Sequence, residues 1–195
     1  MKPILIFATH NNNKRIEIAA LLKEHYQLKS LTDIGLNEEI PENENTLEGN
    51  ALAKARYVKL RTGHNCFADD TGLLVEALNG EPGVYSARYA CKENNADANI
   101  DKLLKKLEGK SNRDAQFKTV IALIEDDTET LFEGQVNGSI LQSKTGTKGF
   151  GYDPIFVPEN FTKSFAEMSL EEKGVISHRG KAVKKLVDYL QKKQH

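Results

Sequence analysis

Two adjacent carboxylates, Asp69 and Asp70, close the apolar run Phe67-Ala68 and are followed by Thr71 and Gly72. Neighbouring carboxylates repel each other, and burying either without a partner is costly. One chemistry that makes the pair useful is magnesium binding. That ion takes oxygen ligands in near-octahedral geometry, through one or two carboxylates, waters and substrate phosphates. The plainer reading is a polar D-D-T-G turn at the end of a strand. Successive strand residues point to opposite faces, so the two aspartates are expected to work differently: one faces a cleft and the other supports the neighbouring loop.

Other stretches carry chemistry of their own. In "ATHNNNK", residues 8–14, an apolar run gives way to polar side chains at a strand-to-helix junction. Free backbone N–H groups at a helix start suit an anion, and Lys14 adds a point charge for phosphate; a simple turn, which favours Asn, is the alternative. "FGYDPIF", 150–156, sets aromatic rings and Asp153 in a loop that Gly151 makes permissive. A ring there can stack on a base, worth about 1–3 kcal/mol, or anchor the loop in the core. "KGVISHRGKA", 173–182, gathers Lys173, His178, Arg179 and Lys181 at a helix start. Cations there oppose the helix dipole, which leaves an anionic or carbonyl-bearing ligand, or a solvated face, to account for them. Two familiar phosphate fingerprints are excluded. Five residues separate Gly174 from Gly180-Lys181, with Ala182 next, so there is no Walker A loop, and no G-x-G-x-x-G opens a helix.

The elements that must position these residues read as an α/β fold with a mixed sheet. Residues 3–8 form a short buried strand. A helix is expected from Asn13 to about His25, with Ile18, Leu21, Leu22 and His25 on one face. A basic second helix spans 46–61, with Thr46 as N-cap and Lys54, Arg56, Lys59 and Arg61 along it. A strand over Asn65–Ala68 places the aspartates at its C-terminal end. Residues 78–89 are turn-rich. Ile100, Leu103, Leu104 and Leu107 mark a third helix, and strands Gln116–Glu125 and Thr130–Ile140 pair as a hairpin turning at Asp126-Asp127. Ser169 and Glu172 make a capping box, and the last helix, from about His178, turns Val183, Leu186, Val187 and Leu190 inward.

The bulk numbers set limits. At 195 residues, without repeat or linker, the chain reads as a single domain over 1–195. A net charge of -1 gives no sign of a nucleic-acid or membrane surface. The N-terminal apolar run is too short for a signal peptide or a span. Two cysteines, Cys66 and Cys91, without CxxC spacing fit free thiols in a reducing cytoplasm.

Taken in order, "ATHNNNK", "TLEGNALAKA", "ADDTGL", "GEPGVYSARYA", "FGYDPIF", "EMSLEEK" and "ISHRGKA" form a sequence that resembles the inosine triphosphate pyrophosphatase family. The resemblance runs from Ala8 to Ala182. It implies an elongated mixed sheet with flanking helices, two lobes around a central cleft, and a homodimer. It also implies magnesium-dependent hydrolysis of dITP, ITP and XTP between the α and β phosphates, giving the monophosphate and pyrophosphate and so cleansing the nucleotide pool. Thr9, His10, Asn11, Asn12, Asn13 and Lys14 match the phosphate-binding start. Asp70 matches the general base and metal ligand, and Thr71 a substrate-contacting position usually held by Ser. Phe150, Gly151, Tyr152, Asp153, Lys173, His178 and Arg179 match base and sugar recognition.

One segment departs from the family pattern. Bacterial relatives often read E-E-T-G where this chain has "EIPENENTLEGNA". A second carboxylate ligand there is Glu42 or Glu39, with Glu42 favoured.

In such a site Asp70 would take a proton from the attacking water. Lys14 and Lys54 would neutralise charge on the leaving pyrophosphate. A donor, Arg179 or a backbone N–H, would donate to the purine 6-carbonyl but meet the 6-amino group of adenine donor to donor. Two rivals stand beside this reading, a pyrophosphatase for modified pyrimidine triphosphates and a nucleotide-binding module without turnover.

Overall fold

The computed structural model describes residues 4–22, 26–91 and 95–193. Pro3 and His25, expected in the first strand and first helix, lie outside the described residues. Strand β1 (Ile4–Phe7) leads through α1 (Asn12–Leu22) to β2 (Gln27–Ser30). Helix α2 (Leu47–Thr62) precedes β3 (Cys66–Val75) and a two-residue β4 (Pro82–Gly83). Helix α3 (Ala96–Lys106), β5 (Asp114–Glu125), β6 (Thr128–Ile140), β7 (Phe156–Pro158), α4 (Leu170–Ile176) and α5 (His178–Lys192) follow. Among the described residues the sheet order is β2-β1-β3-β5-β6-β7, with β4 paired to β3. The class is α/β with a mixed sheet, as the sequence led us to expect. No helix of the described residues is long and apolar enough to cross a membrane.

The chain divides into two compact units. The first is assembled from residues up to Asp70, from Thr119–Gly134 and from Arg179 onward. Here β1 runs parallel to β2, from Ile4↔Gln27 to Phe7↔Ser30, and parallel to β3 at Ile6↔Cys66 and Phe7↔Phe67. Phe7 and Phe67 stack with ring centroids 4.6 Å apart. Ile18 and Leu22 of α1, Ile121 and Leu123 of β5, and Val183, Leu186 and Leu190 of α5 complete this core. The inward face expected of the last helix is therefore found, with Val187 packed partly buried beside it. Helix α2 starts where Thr46 Oγ1 accepts the Gly49 N–H at 3.0 Å, the N-cap its sequence predicts.

The second unit comprises Thr71–Lys118 and Gln135–His178. Its β4 pairs antiparallel with the latter half of β3 at Leu73↔Gly83, and β7 antiparallel with β6 from Gly138↔Pro158 to Ile140↔Phe156. Leu73, Ile100, Leu103, Leu107, Phe117, Phe156 and Phe165 form its core. Phe117 meets Phe156 edge-on at 4.7 Å. Ser169 and Glu172 cap α4 reciprocally, as their spacing predicts. The two-residue connection Asp126-Asp127 between adjacent β5 and β6 makes them an antiparallel hairpin.

One expectation needs correction. The aspartates do not end their strand: β3 continues through Asp69 and Asp70 to Val75. Pairing with β1 stops at Phe67, and β4 takes up the strand only at Leu73. The carboxylates thus emerge where one neighbouring strand has run out, while the backbone stays extended.

Candidate active site

In the first unit, the charged side chains around the aspartates form a shared network. Lys14, on the first turns of α1, donates from Nζ to Asp69 Oδ1 at 3.0 Å. Arg179, at the start of α5, places Nε 3.5 Å from Asp69 Oδ2 and donates through Nη1 to Glu17. Asp69 is 1% exposed and Arg179 2%. Burial works against the Asp69 carboxylate, but Lys14, Arg179 and Lys54 hold it down to about 2. The same burial draws the Lys14 ammonium below its ordinary value, with Lys54 and Arg179 adding to this against the pull of Asp69.

Asp70 turns to other partners, as strand alternation requires. Its Oδ2 accepts from Asn50 Nδ2 at 3.0 Å, and its Oδ1 lies 3.8 Å from Lys54 Nζ. Lys54 also donates to Glu42 Oε1 at 2.5 Å. Burial pushes the Asp70 carboxyl above its usual range, and Glu42 adds to this against Lys54 and Lys14. Burial penalises the Lys54 ammonium as well, yet Asp70 and Glu42 carry it above its ordinary value. Of the two carboxylates weighed in the 38–44 segment, Glu42 is the one brought to Lys54; Glu39 is exposed. Among the described residues no three His, Cys, Asp or Glu side chains gather as a cluster able to hold a metal.

The strand-to-helix loop is organised by its own side chains. Thr9 Oγ1 accepts from Asn11 N at 3.1 Å, and Asn11 Oδ1 from Lys14 N at 3.1 Å. Asn12 Oδ1 holds Arg15, while Asn13 is exposed. His10 donates from Nε2 to the Glu38 carbonyl at 2.8 Å. The loop therefore delivers Lys14 to Asp69, and its other members serve mostly to shape it.

In the second unit the predicted residues cluster around one ion pair. Lys173 donates from Nζ to Asp153 Oδ2 at 2.6 Å, both side chains being buried. The same carboxylate oxygen accepts the Phe150 backbone N–H at 2.7 Å. Lys173 Nζ lies 5.0 Å from the Phe150 ring centroid and 5.5 Å from that of Phe165. Gly149, at φ 72°, can only be glycine, because a Cβ there would meet Asp153 Oδ2 at 2.1 Å. Tyr152 is buried and donates to the Ser86 carbonyl at 2.9 Å, while Phe150 and Gly151 stay half-buried. His178 stacks on Phe117 at 4.5 Å.

The predicted residues thus fall into two groups. Lys14, Lys54, Asp70, Glu42 and Arg179 share one network; Phe150, Tyr152, Asp153, Lys173 and His178 lie in the other unit, as does Thr71, half-buried on β3. Arg179, read from sequence among the base-contacting positions, sits with the charges around Asp69. Sequence reasoning missed Asn50 and Glu17. Asn50 stands four residues before Lys54 on α2, a same-face spacing that could have drawn notice. No local pattern pairs Glu17 with a residue 162 positions away.

Comparison with known proteins follows the same outline. The chain is 58% identical over 186 residues to a Flavobacterium johnsoniae protein named dITP/XTP pyrophosphatase, covering 95% of this chain and 97% of that one. A Christiangramia forsetii protein of the same name is 56% identical, with 96% and 99% covered. Among solved structures, the Staphylococcus aureus Ham1 protein superposes with a TM-score of 0.88 at 38% identity, covering 97% of this chain and 99% of its own. A Mycobacterium abscessus nucleoside-triphosphatase / dITP/XTP pyrophosphatase gives 0.76 at 41% identity, with 94% and 98% covered. The Ham1 family profile matches residues 5–189. With the family profile spanning nearly the whole chain and the fold matching at this identity, the chain belongs to the Ham1 family.

Proposed function

We propose that the protein hydrolyses non-standard purine nucleoside triphosphates, dITP, ITP and XTP, to the monophosphate and pyrophosphate, with magnesium required. The observation that carries this reading is the arrangement at Lys54: two carboxylates, Asp70 and Glu42, share one ammonium. Such a pair fits a magnesium ion, which needs only one or two protein carboxylates when phosphates and waters supply the rest. The raised Asp70 carboxyl suits a proton acceptor working near neutral pH. Relatives with matching length and the name dITP/XTP pyrophosphatase support the same substrate class.

Each residue then has a task. Asp70 and Glu42 would hold the metal, which when bound would polarise the phosphates and lower the pKa of a bound water. Asp70 takes the proton of the attacking water. Lys14 and Lys54 neutralise charge on the departing pyrophosphate. Asp69 keeps Lys14 in place. In the second unit, the Lys173–Asp153 clasp sets the 149–153 backbone, which presents donors to the purine 6-carbonyl, and Phe150 offers a ring for stacking. A homodimer and a cytoplasmic location belong to the same proposal.

The test is pyrophosphate release from dITP, XTP, dATP, dGTP and dTTP, with and without magnesium. Release from dITP and XTP well above the others, abolished by EDTA, is expected. Preference for a pyrimidine would overturn the purine assignment, and tight dITP binding with no release would leave a binding module.

A further inference from the structure

Residues 36–46, which carry Glu42, form neither helix nor strand. Side chains from elsewhere must therefore fix where Glu42 goes. At the start of the segment, Glu38 accepts from Tyr57 and pairs with Arg61, and its carbonyl accepts from His10. Near its other end Asn50 acts. Asn50 Oδ1 accepts the Glu44 backbone N–H at 3.0 Å, while Asn50 Nδ2 donates to Asp70 Oδ2 at 3.0 Å. Asn50 is wholly buried. Its partners dictate which way the amide faces, since an N–H can only donate and a carboxylate only accept.

One turn further along α2, Lys54 meets Glu42 Oε1 and Asp70 Oδ1. Asn50 and Lys54 therefore grip the same two strips of chain from one helix face. The amide takes Oδ2 of Asp70, which turns Oδ1 toward Lys54. No other common side chain of this size does both jobs. Aspartate would set a carboxylate against Asp70, leucine would bond to neither partner, and serine would be too short to span them.

We propose that Asn50 is a positioning residue for the hydrolysis. It fixes the rotation of the Asp70 carboxylate and, through Glu44, the register of the Glu42 segment, so that the two carboxylates arrive as one set. The inference rests on the role given above to Asp70. Residues that orient metal-binding side chains typically cost 10–100-fold when replaced.

Asn50→Leu, close in volume, is expected to lower kcat for dITP about 10–100-fold and to raise the magnesium concentration for half-maximal rate, with KM for dITP little changed. Combined with Asp70→Asn, it should add almost nothing. An equal fold-loss in both backgrounds, or a loss confined to KM, would overturn the proposal. Should Asn50→Leu fail to fold, isosteric Asn50→Asp serves; full turnover with an unaltered magnesium requirement there would equally sink it. A readout independent of turnover is the side-chain amide resonance of Asn50 in protein carrying 15N-asparagine. That resonance should move on Asp70→Asn and hold still on Lys173→Met. If Asp70→Asn leaves it in place, Asn50 does not orient Asp70. Wild-type protein inert toward every triphosphate would instead overturn the functional reading, while the resonance still decides whether Asn50 orients Asp70.

Discussion

Each unit buries a lysine against an aspartate, and the two contacts are built differently. Lys173 and Asp153 meet at 2.6 Å beside aromatic rings, and the same carboxylate oxygen also accepts the Phe150 N–H. Around Asp69 and Asp70 three charges are shared: Asp69 between Lys14 and Arg179, Lys54 between Asp70 and Glu42, Arg179 between Asp69 and Glu17. A buried lysine–aspartate pair fixes a shape, because removing one partner takes the counter-ion from a buried charge. A shared network tolerates an incoming cation or anion, because Asp69, Lys54 and Arg179 each have a second partner to turn to. The first arrangement suits a loop that must present its backbone unchanged, the second a site whose charges change during the reaction.

Four experiments can break or sharpen this contrast. The largest effect is expected from Asp70→Asn, which should cut turnover about 10²–10⁴-fold while dITP binding measured by calorimetry largely survives. A folded variant with near-normal turnover would remove the network from the chemistry.

Next comes the closed pair. Lys173→Met strands the Asp153 carboxylate, and urea unfolding should show a loss on the order of 3–5 kcal/mol. Lys173→Met with Asp153→Leu should lose less than the single variant. Equal losses would mean that the pair is no clasp.

The third effect is smaller and depends on pH. Asp69 is held at about 2 in the folded protein against an ordinary 3.8. A depressed carboxyl stabilises the fold above its unfolded value, and the contribution, on the order of 2 kcal/mol, fades as pH falls from 3.8 toward 2. The gap in stability between wild type and Asp69→Asn should therefore be widest near neutrality and narrow in that acid window. A gap unchanged down to pH 2 would deny Asp69 its ionised, paired state.

The smallest change concerns selectivity. With Arg179 tied to Asp69 and Glu17, Arg179→Ala should lower kcat/KM for dITP and dATP in parallel and leave their ratio standing. A ratio narrowed by about 1–3 kcal/mol would return base reading to Arg179 and away from the 149–153 backbone.

Much of this was legible because local rules applied locally. Thr46, Ser169 and Glu172 cap the helices their spacing marks, and Asp126-Asp127 turns the hairpin. The family motifs placed Lys14, Asp70 and Phe150 among the chemically interesting positions. Strand β2, Gln27–Ser30, escaped notice because it has little apolar pattern; its pairing with β1 forms it. The length of β3 was misjudged because Asp-Asp-Thr-Gly carries turn chemistry, which extended pairing overrides. The placement of Arg179 was out of reach for another reason. Its carboxylate partners come from Glu17 and Asp69, and only tertiary folding brings such distant residues together.

The division of the two cores along the chain bears on how the molecule is made. The second unit draws its core from residues between Leu73 and Met168, whereas Leu5 and Phe7 of the first must wait for Val183, Leu186 and Leu190. A ribosome adds about 5–20 residues each second, so β1 is in being for roughly 10–40 s before the helix that covers its core has been synthesised. Contacts of such long range are also the slowest to close. During that interval the apolar side chains of β1 lack the cover of α5, and Asp69 has already been made while Arg179 has not.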